Sequence, residues 1–93
     1  MKRQKFNSVW DALEDTPQEA ENMKLRAALM RQLRKHIEAQ GWKQTETAEK
    51  LNVTQPRVSD LLRGKIERFS LDMLVNMSTA AGLKISVMIA EPA

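Results

Sequence analysis

The chain has 93 residues, of which 42% are hydrophobic and 29% charged, a balance typical of one ordinary globular domain. It has no cysteine, which excludes disulfides and thiolate metal sites, and no apolar run approaches the ~18 residues of a membrane span. The basic start lacks the apolar stretch of a secretory signal. We therefore expect a cytoplasmic protein, associated with the nucleoid if it binds DNA.

The net charge of +3 is unevenly distributed along the sequence. Residues 11–21 contain five acidic residues and no Lys or Arg, whereas residues 22–68 contain eleven basic residues against five acidic ones. A basic middle of the chain suits a nucleic-acid partner, but two solvated surfaces of opposite sign would give the same counts. Only a motif can distinguish these interpretations.

Residues 1–16 form an acidic and aromatic segment. Within it, Phe6, Val9, Trp10 and Leu13 have the spacing of one face of a short helix. An apolar helical face bordered by carboxylates suits a groove on a cationic partner, so Phe6, Trp10 and Leu13 are candidate partner-binding residues. An equally good interpretation is that these side chains cover the helix that follows.

A helical domain is predicted over residues 17–82. Thr16 followed by Pro17 predicts the N-terminus of a long helix that runs to about Gln40, and Gly41 is suited to end it. The buried stripe of this helix is predicted from apolar residues four apart, namely Leu25, Leu29, Leu33 and Ile37, with Ala28 and Met30 beside them.

Three shorter helices are predicted next. Two of them, from about Gln44 to Leu51 and from about Gln55 to Leu62, flank Asn52, a residue that tolerates the left-handed conformation of a tight turn. Thr54 can cap the second of these helices. The third is capped by Ser70, runs from about Leu71 to Ala81 and is expected to place its apolar side chains along one side: Leu71, Leu74 and Val75, together with Ser78.

The pattern changes period in residues 83–93. Leu83, Ile85, Val87 and Ile89 alternate with other residues, which predicts a strand with one apolar face. A lone strand has to pair with another, and pairing with a second copy would give a two-fold dimer whose reading helices match DNA half-sites roughly 34 Å apart. These four residues are therefore candidate dimerisation residues, although the strand could instead join a sheet edge of a partner.

The stretch from Trp42 to Gly64 has the pattern of a helix-turn-helix. Ala48 is small where the two short helices would approach most closely. Four aliphatic side chains are placed to fill the space between the helices: Leu51, Val53, Val58 and Leu61. A helical hairpin with an ordinary polar outer face is the alternative, but it would rarely combine these residues at these intervals.

The second helix of this motif has side chains suited to base recognition. Arg57 can donate two parallel hydrogen bonds to guanine, and Gln55 can pair with adenine in the major groove. Pro56 offers an apolar face, and Asp60 either accepts a hydrogen bond from cytosine or orients Arg57. The candidate DNA-binding residues, including those suited to phosphate oxygens, are Gln44, Thr54, Gln55, Pro56, Arg57, Ser59, Asp60, Arg63 and Lys65.

Residues 44–64 resemble the XRE (Cro-type) helix-turn-helix family, and the wider chain resembles its HigA-type antitoxin regulators. The wider likeness rests on segments 7–13, 22–26, 53–61, 64–65 and 69–72, and Thr-Gln-Pro-Arg-Val-Ser at 54–59 is its most specific piece. The resemblance assigns DNA contacts to Gln44, Gln55, Arg57 and Ser59. Lys43 stands where the family often has a Thr cap, and Thr47 stands where an aliphatic residue is usual. With the predicted elements it implies a mainly α, five-helix, lambda-repressor-like domain with one C-terminal strand.

The same resemblance implies a transcriptional repressor, the antitoxin of a type II toxin–antitoxin pair that represses its own operon. Its partners would be double-stranded DNA, a second copy and a HigB/RelE-like ribonuclease toxin. A stand-alone or phage-type repressor shares every predicted DNA contact and remains the alternative. An enzyme is not expected, because the single histidine, His36, has the sequence context of a surface residue and no nucleophile–base pair, cofactor motif or metal-ligand spacing is visible.

Overall fold

The computed structural model describes residues 16–92. These residues contain four α-helices, with a short 3-10 turn between the third and the fourth. The bounds of the helices are α1 Pro17–Gln40, α2 Gln44–Leu51, α3 Gln55–Leu62 and α4 Leu71–Ala80, and the 3-10 turn is Ile66–Arg68. The bounds predicted for α1, α2 and α3 are confirmed, and α4 ends one residue earlier than predicted.

The helix ends follow the local signals in the sequence. The hydroxyl oxygens of Thr16, Thr54 and Ser70 each accept a hydrogen bond from the backbone N–H three residues later, at 3.0, 3.4 and 3.1 Å. Gly41 and Asn52 take left-handed conformations, with φ of 70° and 59°, directly after α1 and α2. These caps form as predicted because each depends on residues within one helical turn.

The core lies where α1 and α4 pack against each other, with α2, α3 and the 3-10 turn closing it. Its stripe on α1 differs from the prediction: Leu25 is 52% exposed and Leu29 is half-buried. A spacing of four residues drifts around a helix of 3.6 residues per turn, so the predicted stripe rotates out of the core toward the start of α1. Val75 on α4 is likewise exposed. The buried core cluster consists of Met23, Met30, Leu33, Ile37, Leu51, Leu61, Ile66, Phe69, Leu74, Met77 and Ala81.

The prediction of five helices and a C-terminal strand is wrong. Residues 16–92 hold four α-helices, and residues 83–92 adopt no strand. A strand requires ladder hydrogen bonds to a neighbour, and this part of the chain supplies no second strand. Leu83 packs against the core cluster and Ile85 is half-buried, whereas Val87 and Ile89 are 81% and 90% exposed. The short helix predicted around Trp10 lies outside the described residues.

His36 has a packing role that the sequence did not indicate. It is half-buried rather than at the surface, and its Nε2 lies 3.2 Å from the carbonyl oxygen of Ala81, just beyond α4. Its ring meets Trp42 edge to face at 5.5 Å between centroids, and the Lys50 ammonium lies 5.2 Å from the centre of the Trp42 ring. These contacts join the end of α1 to both α2 and α4.

Candidate nucleic-acid interface

The helices α2 and α3 form the predicted helix-turn-helix. Ala48, Leu51, Val58 and Leu61 are all buried at or near the crossing of the two helices. The turn is closed by backbone hydrogen bonds after Asn52, since the Val53 N–H donates to the Ala48 carbonyl at 3.0 Å. The rotation of α3 about its own axis is therefore set by side chains that are almost entirely excluded from water.

Thr47 is a polar residue at a fully buried position of α2. Its hydroxyl donates a hydrogen bond of 2.8 Å to the carbonyl oxygen of Lys43, one turn earlier in the chain. A buried hydroxyl with a hydrogen-bond partner avoids most of the desolvation penalty of an unpaired one. The departure from an aliphatic residue is thus accommodated. At Lys43, in contrast, α2 begins with no side-chain cap.

The N-terminal turn of α3 is presented to solvent. Thr54, Gln55 and Pro56 are exposed and Arg57 is half-buried. The first backbone N–H groups of a helix have no partner within the helix, and together with the helix dipole they favour an anion. This turn therefore offers one side-chain hydroxyl, one side-chain amide, one apolar ring and one guanidinium at the end of the helix dipole that favours phosphate.

The other predicted DNA-binding residues occupy three places around this turn. Ser59 and Asp60 are half-buried on the later part of α3. Gln44 is exposed at the first position of α2, where the backbone N–H groups are likewise unpaired within the helix. Arg63 is exposed and Lys65 half-buried in the loop that follows α3.

Arg57 is held by the loop after α3. Its Nη1 donates to the carbonyl oxygen of Arg68 at 3.1 Å, and its guanidinium carbon lies 5.4 Å from the centre of the Phe69 ring. Asp60, predicted either to accept a hydrogen bond from cytosine or to orient Arg57, contacts the same loop. It accepts a hydrogen bond from Arg68 Nη1 at 3.4 Å, and its side chain is 17% exposed.

A further cationic region, on α1, borders this surface, and no local sequence pattern indicated its position. A Cβ added to Gly64 would lie 3.2 Å from Nη1 of Arg34, so the Arg34 guanidinium sits against the loop between α3 and α4. Arg31, Arg34 and Lys35 line a groove whose other walls include Trp42 and the end of α3 at Leu62. Positive charge from α1 is thereby brought beside the loop that carries Arg63 and Lys65. The sequence places Arg34 about thirty positions away, and no local pattern joins the two.

Other kinds of site find little support among the described residues. Across residues 16–92, no three His, Asp or Glu side chains are grouped closely enough to hold a metal ion. The helices of the same region include none with the length and hydropathy needed to cross a membrane. The features best suited to bind a ligand are the exposed first turn of α3 and the cationic residues that border it. Their positive charges favour an extended anionic ligand.

Comparison with known proteins agrees with this geometry. A family described as a helix-turn-helix domain matches residues 12–90, which is most of the chain. No curated protein matches the chain. The match spans α1 to α4 and includes both helices around Asn52. The chain therefore belongs to the helix-turn-helix domain family, and it is a DNA-binding regulator.

Proposed function

We propose that the chain is a sequence-specific transcriptional regulator whose helix α3 reads base edges in the major groove of double-stranded DNA. The observation that carries this proposal is the division of α3 into two faces. Val58 and Leu61 are fully buried, whereas Gln55 and Pro56 are exposed on the turn that a recognition helix presents to the bases. The buried face fixes the orientation of the exposed one.

Each side chain in this turn has a distinct proposed role. Arg57 donates to O6 and N7 of a guanine, and Gln55 pairs with N6 and N7 of an adenine. Pro56 contacts a thymine methyl group, for which its ring is suited. Thr54 uses its hydroxyl oxygen to cap α3, and its hydroxyl hydrogen is then available to a phosphate oxygen.

Phosphate contacts are proposed on both sides of α3. Gln44, at the start of α2, and Ser59 donate to phosphate oxygens, and Arg63 and Lys65 supply charge from the loop after α3. Arg34 joins this group because its guanidinium lies against Gly64, within the same loop. Contacts of this kind strengthen binding to any duplex and make affinity fall with salt.

Fluorescence anisotropy tests this function directly. Purified protein is titrated onto a labelled duplex from immediately upstream of its own gene, and a scrambled duplex of equal length and composition serves as competitor. Tighter binding to the native duplex at two salt concentrations is the expected result. Equal and strongly salt-dependent binding to both duplexes would indicate backbone attraction alone and would contradict a specific regulator of that operon.

A homodimer is proposed because operators of this kind are commonly two-fold, with one reading helix for each half-site. The C-terminal segment supports it, because Val87 and Ile89 are exposed apolar residues, whereas Leu83 packs against the core cluster and Ile85 is half-buried. Replacing Val87 and Ile89 together by Asp should yield a monomer in light scattering. Asp at Ala90, in the same exposed segment, controls for added charge, and an unchanged dimer in the double variant would exclude this contact.

The finer assignment, supported by the resemblance to HigA-type XRE regulators, is an autoregulating antitoxin. Its partner would be a HigB/RelE-like toxin, contacted by Phe6, Trp10 and Leu13, which lie outside the described residues. Co-purification with a small basic ribonuclease encoded beside this gene is the expected result, and its absence would favour a stand-alone repressor. Trp10→Asp should weaken toxin binding without unfolding the chain, and unchanged toxin binding would exclude that contact.

A further inference from the structure

We propose that Asp60, Arg68 and Phe69 form a positioning cluster that orients Arg57 before DNA arrives and so sets the specificity of the protein. The proposal rests on the function proposed above, in which Arg57 reads a base. It adds two residues, Arg68 and Phe69, that no sequence pattern assigned to the DNA interface. Their effect is exerted through Arg57 and requires no contact with the DNA by Phe69.

The guanidinium group of Arg57 makes two contacts with the loop after α3. Nη1 of Arg57 donates to the Arg68 carbonyl oxygen at 3.1 Å, and the group lies over the Phe69 ring at 5.4 Å. Phe69 is only 2% exposed, so its ring is a fixed platform. A hydrogen bond and a cation–π contact together restrict both the position and the tilt of the guanidinium plane. Since arginine has five N–H donors, four remain for a guanine.

The loop that carries Phe69 is itself anchored to two helices. The side chain of Arg68 returns to α3 and pairs with Asp60, three residues after Arg57, at 3.4 Å. The Phe69 carbonyl oxygen accepts a hydrogen bond from Nη1 of Arg26 on α1 at 3.2 Å, and the Asn22 side chain accepts one from Arg26 Nε at 2.7 Å. The loop that holds Arg57 is thereby joined both to α3 and to α1.

Asp60 places a negative charge on α3, the helix proposed to read the bases. A carboxylate on the face of a recognition helix repels phosphates and weakens binding to every duplex. The ion pair between Asp60 and Arg68 gives this carboxylate a different role, because the pair fixes the position of the Arg68 backbone carbonyl to which Arg57 donates. An arginine that is already ordered loses less conformational entropy when it pairs with guanine. The cluster thus lowers the affinity for DNA of any sequence and increases the discrimination between sequences.

The decisive variant is Asp60→Asn, which keeps the shape and removes the charge. We expect affinity for the scrambled duplex to rise, whereas the ratio of native to scrambled affinity falls by about three- to tenfold. If the carboxylate only repels DNA, both affinities rise equally and the ratio is unchanged, which would overturn the proposal. In an Arg57→Ala background, Asp60→Asn should leave the ratio unchanged, and a further fall there would also contradict it.

A second variant keeps the proposal testable if Asp60→Asn fails to fold. Arg68→Gln removes a cation, and a simple phosphate contact would lower both affinities by the same factor. The positioning role predicts a larger loss on the native duplex, so that the ratio falls as in Asp60→Asn. Thermal melting of each variant is recorded beside the binding curves. A ratio unaffected by Arg68→Gln in a folded protein would overturn the proposal.

A measurement without DNA separates the failure of this inference from the failure of the proposed function. The heteronuclear NOE of Arg57 Nε is compared with that of Arg63, an exposed arginine in the same protein. We expect Arg57 to be rigid and Arg63 mobile, and Asp60→Asn to make Arg57 mobile. Equal mobility of the two arginines in the wild type would overturn the cluster. A rigid Arg57 in a protein that does not discriminate between duplexes would instead overturn the proposed function and, with it, the role in specificity.

Discussion

The two helices of the motif have the same length and opposite means of stabilisation. Both α2 and α3 contain eight residues. α2 buries Thr47, Ala48 and Leu51 but begins at Lys43 without a side-chain cap. α3 buries only two side chains, but it is capped by Thr54 and has a proline in its first turn. One helix is held mainly by packing, whereas the other has strong local signals at its N-terminus.

This difference follows from what each helix has to expose. A helix as short as eight residues is not stable alone in water and needs either packing or strong end signals. A recognition helix has to leave its N-terminal turn free for DNA, so that turn cannot be stabilised by burial. A cap and a proline stabilise it without covering it. The scaffold helix has no such restriction.

The largest expected effect comes from a core residue of α3. Leu61 is fully buried, and Leu61→Ala should lower the free energy of unfolding by about 2–5 kcal/mol, because it removes apolar contacts and leaves a cavity. Urea denaturation measures the loss. Leu25→Ala on α1, at a position 52% exposed, is the matched control and should have a much smaller effect. Equal losses would mean that the core is not where the structure places it.

The next prediction distinguishes a loss of sequence-specific DNA affinity from a loss of stability. Arg57→Ala should weaken binding to the native duplex by about 1–3 kcal/mol and relax specificity at one base pair, with little change in thermal stability. Anisotropy against duplexes with single base changes identifies that position. Arg63→Ala is the matched arginine control, since it should weaken binding to all sequences and reduce the salt slope by about 1. A uniform loss for Arg57 would assign it to phosphate instead.

The caps of the two helices should respond with opposite signs. Thr54→Ala removes the cap of α3 and should lower the free energy of unfolding by about 1 kcal/mol. Lys43→Thr supplies the cap that α2 lacks and should raise stability by about 0.5–1 kcal/mol. Both changes are measured by urea denaturation. Similar small effects at both positions would show that neither helix depends on its cap.

The smallest expected effect is at the buried threonine of α2. Thr47→Val removes the hydroxyl that bonds to the Lys43 carbonyl, but that carbonyl retains the backbone N–H of Thr47 at 2.8 Å. No polar group is left without a partner, so stability should change by less than about 1 kcal/mol. Calorimetric melting measures the change. A loss of about 2 kcal/mol or more would show that the hydroxyl is essential to the start of α2.

Features that depend on neighbours in the chain were predictable from the sequence. The bounds of α1, α2 and α3, their caps and the left-handed turn at Asn52 all rest on interactions within about four residues. The helix-turn-helix motif and the exposed first turn of α3 were predictable for the same reason. The exposure of Leu25 was not predictable in this way, because a four-residue spacing does not match the helical period over several turns.

Features that depend on distant residues were decided only by the tertiary structure. The fate of residues 83–92 is one, since an alternating pattern makes a strand only when a neighbouring strand is present. The placement of Arg34 against Gly64 is another, as is the support of Arg57 by Arg68 and Phe69. The sequence by itself thus determined which helix exposes the side chains that are proposed to contact DNA. The tertiary structure determined how Arg57, the principal one of these side chains, is held. The atoms that contact it belong to Arg68 and Phe69, in a loop whose position local sequence patterns do not predict.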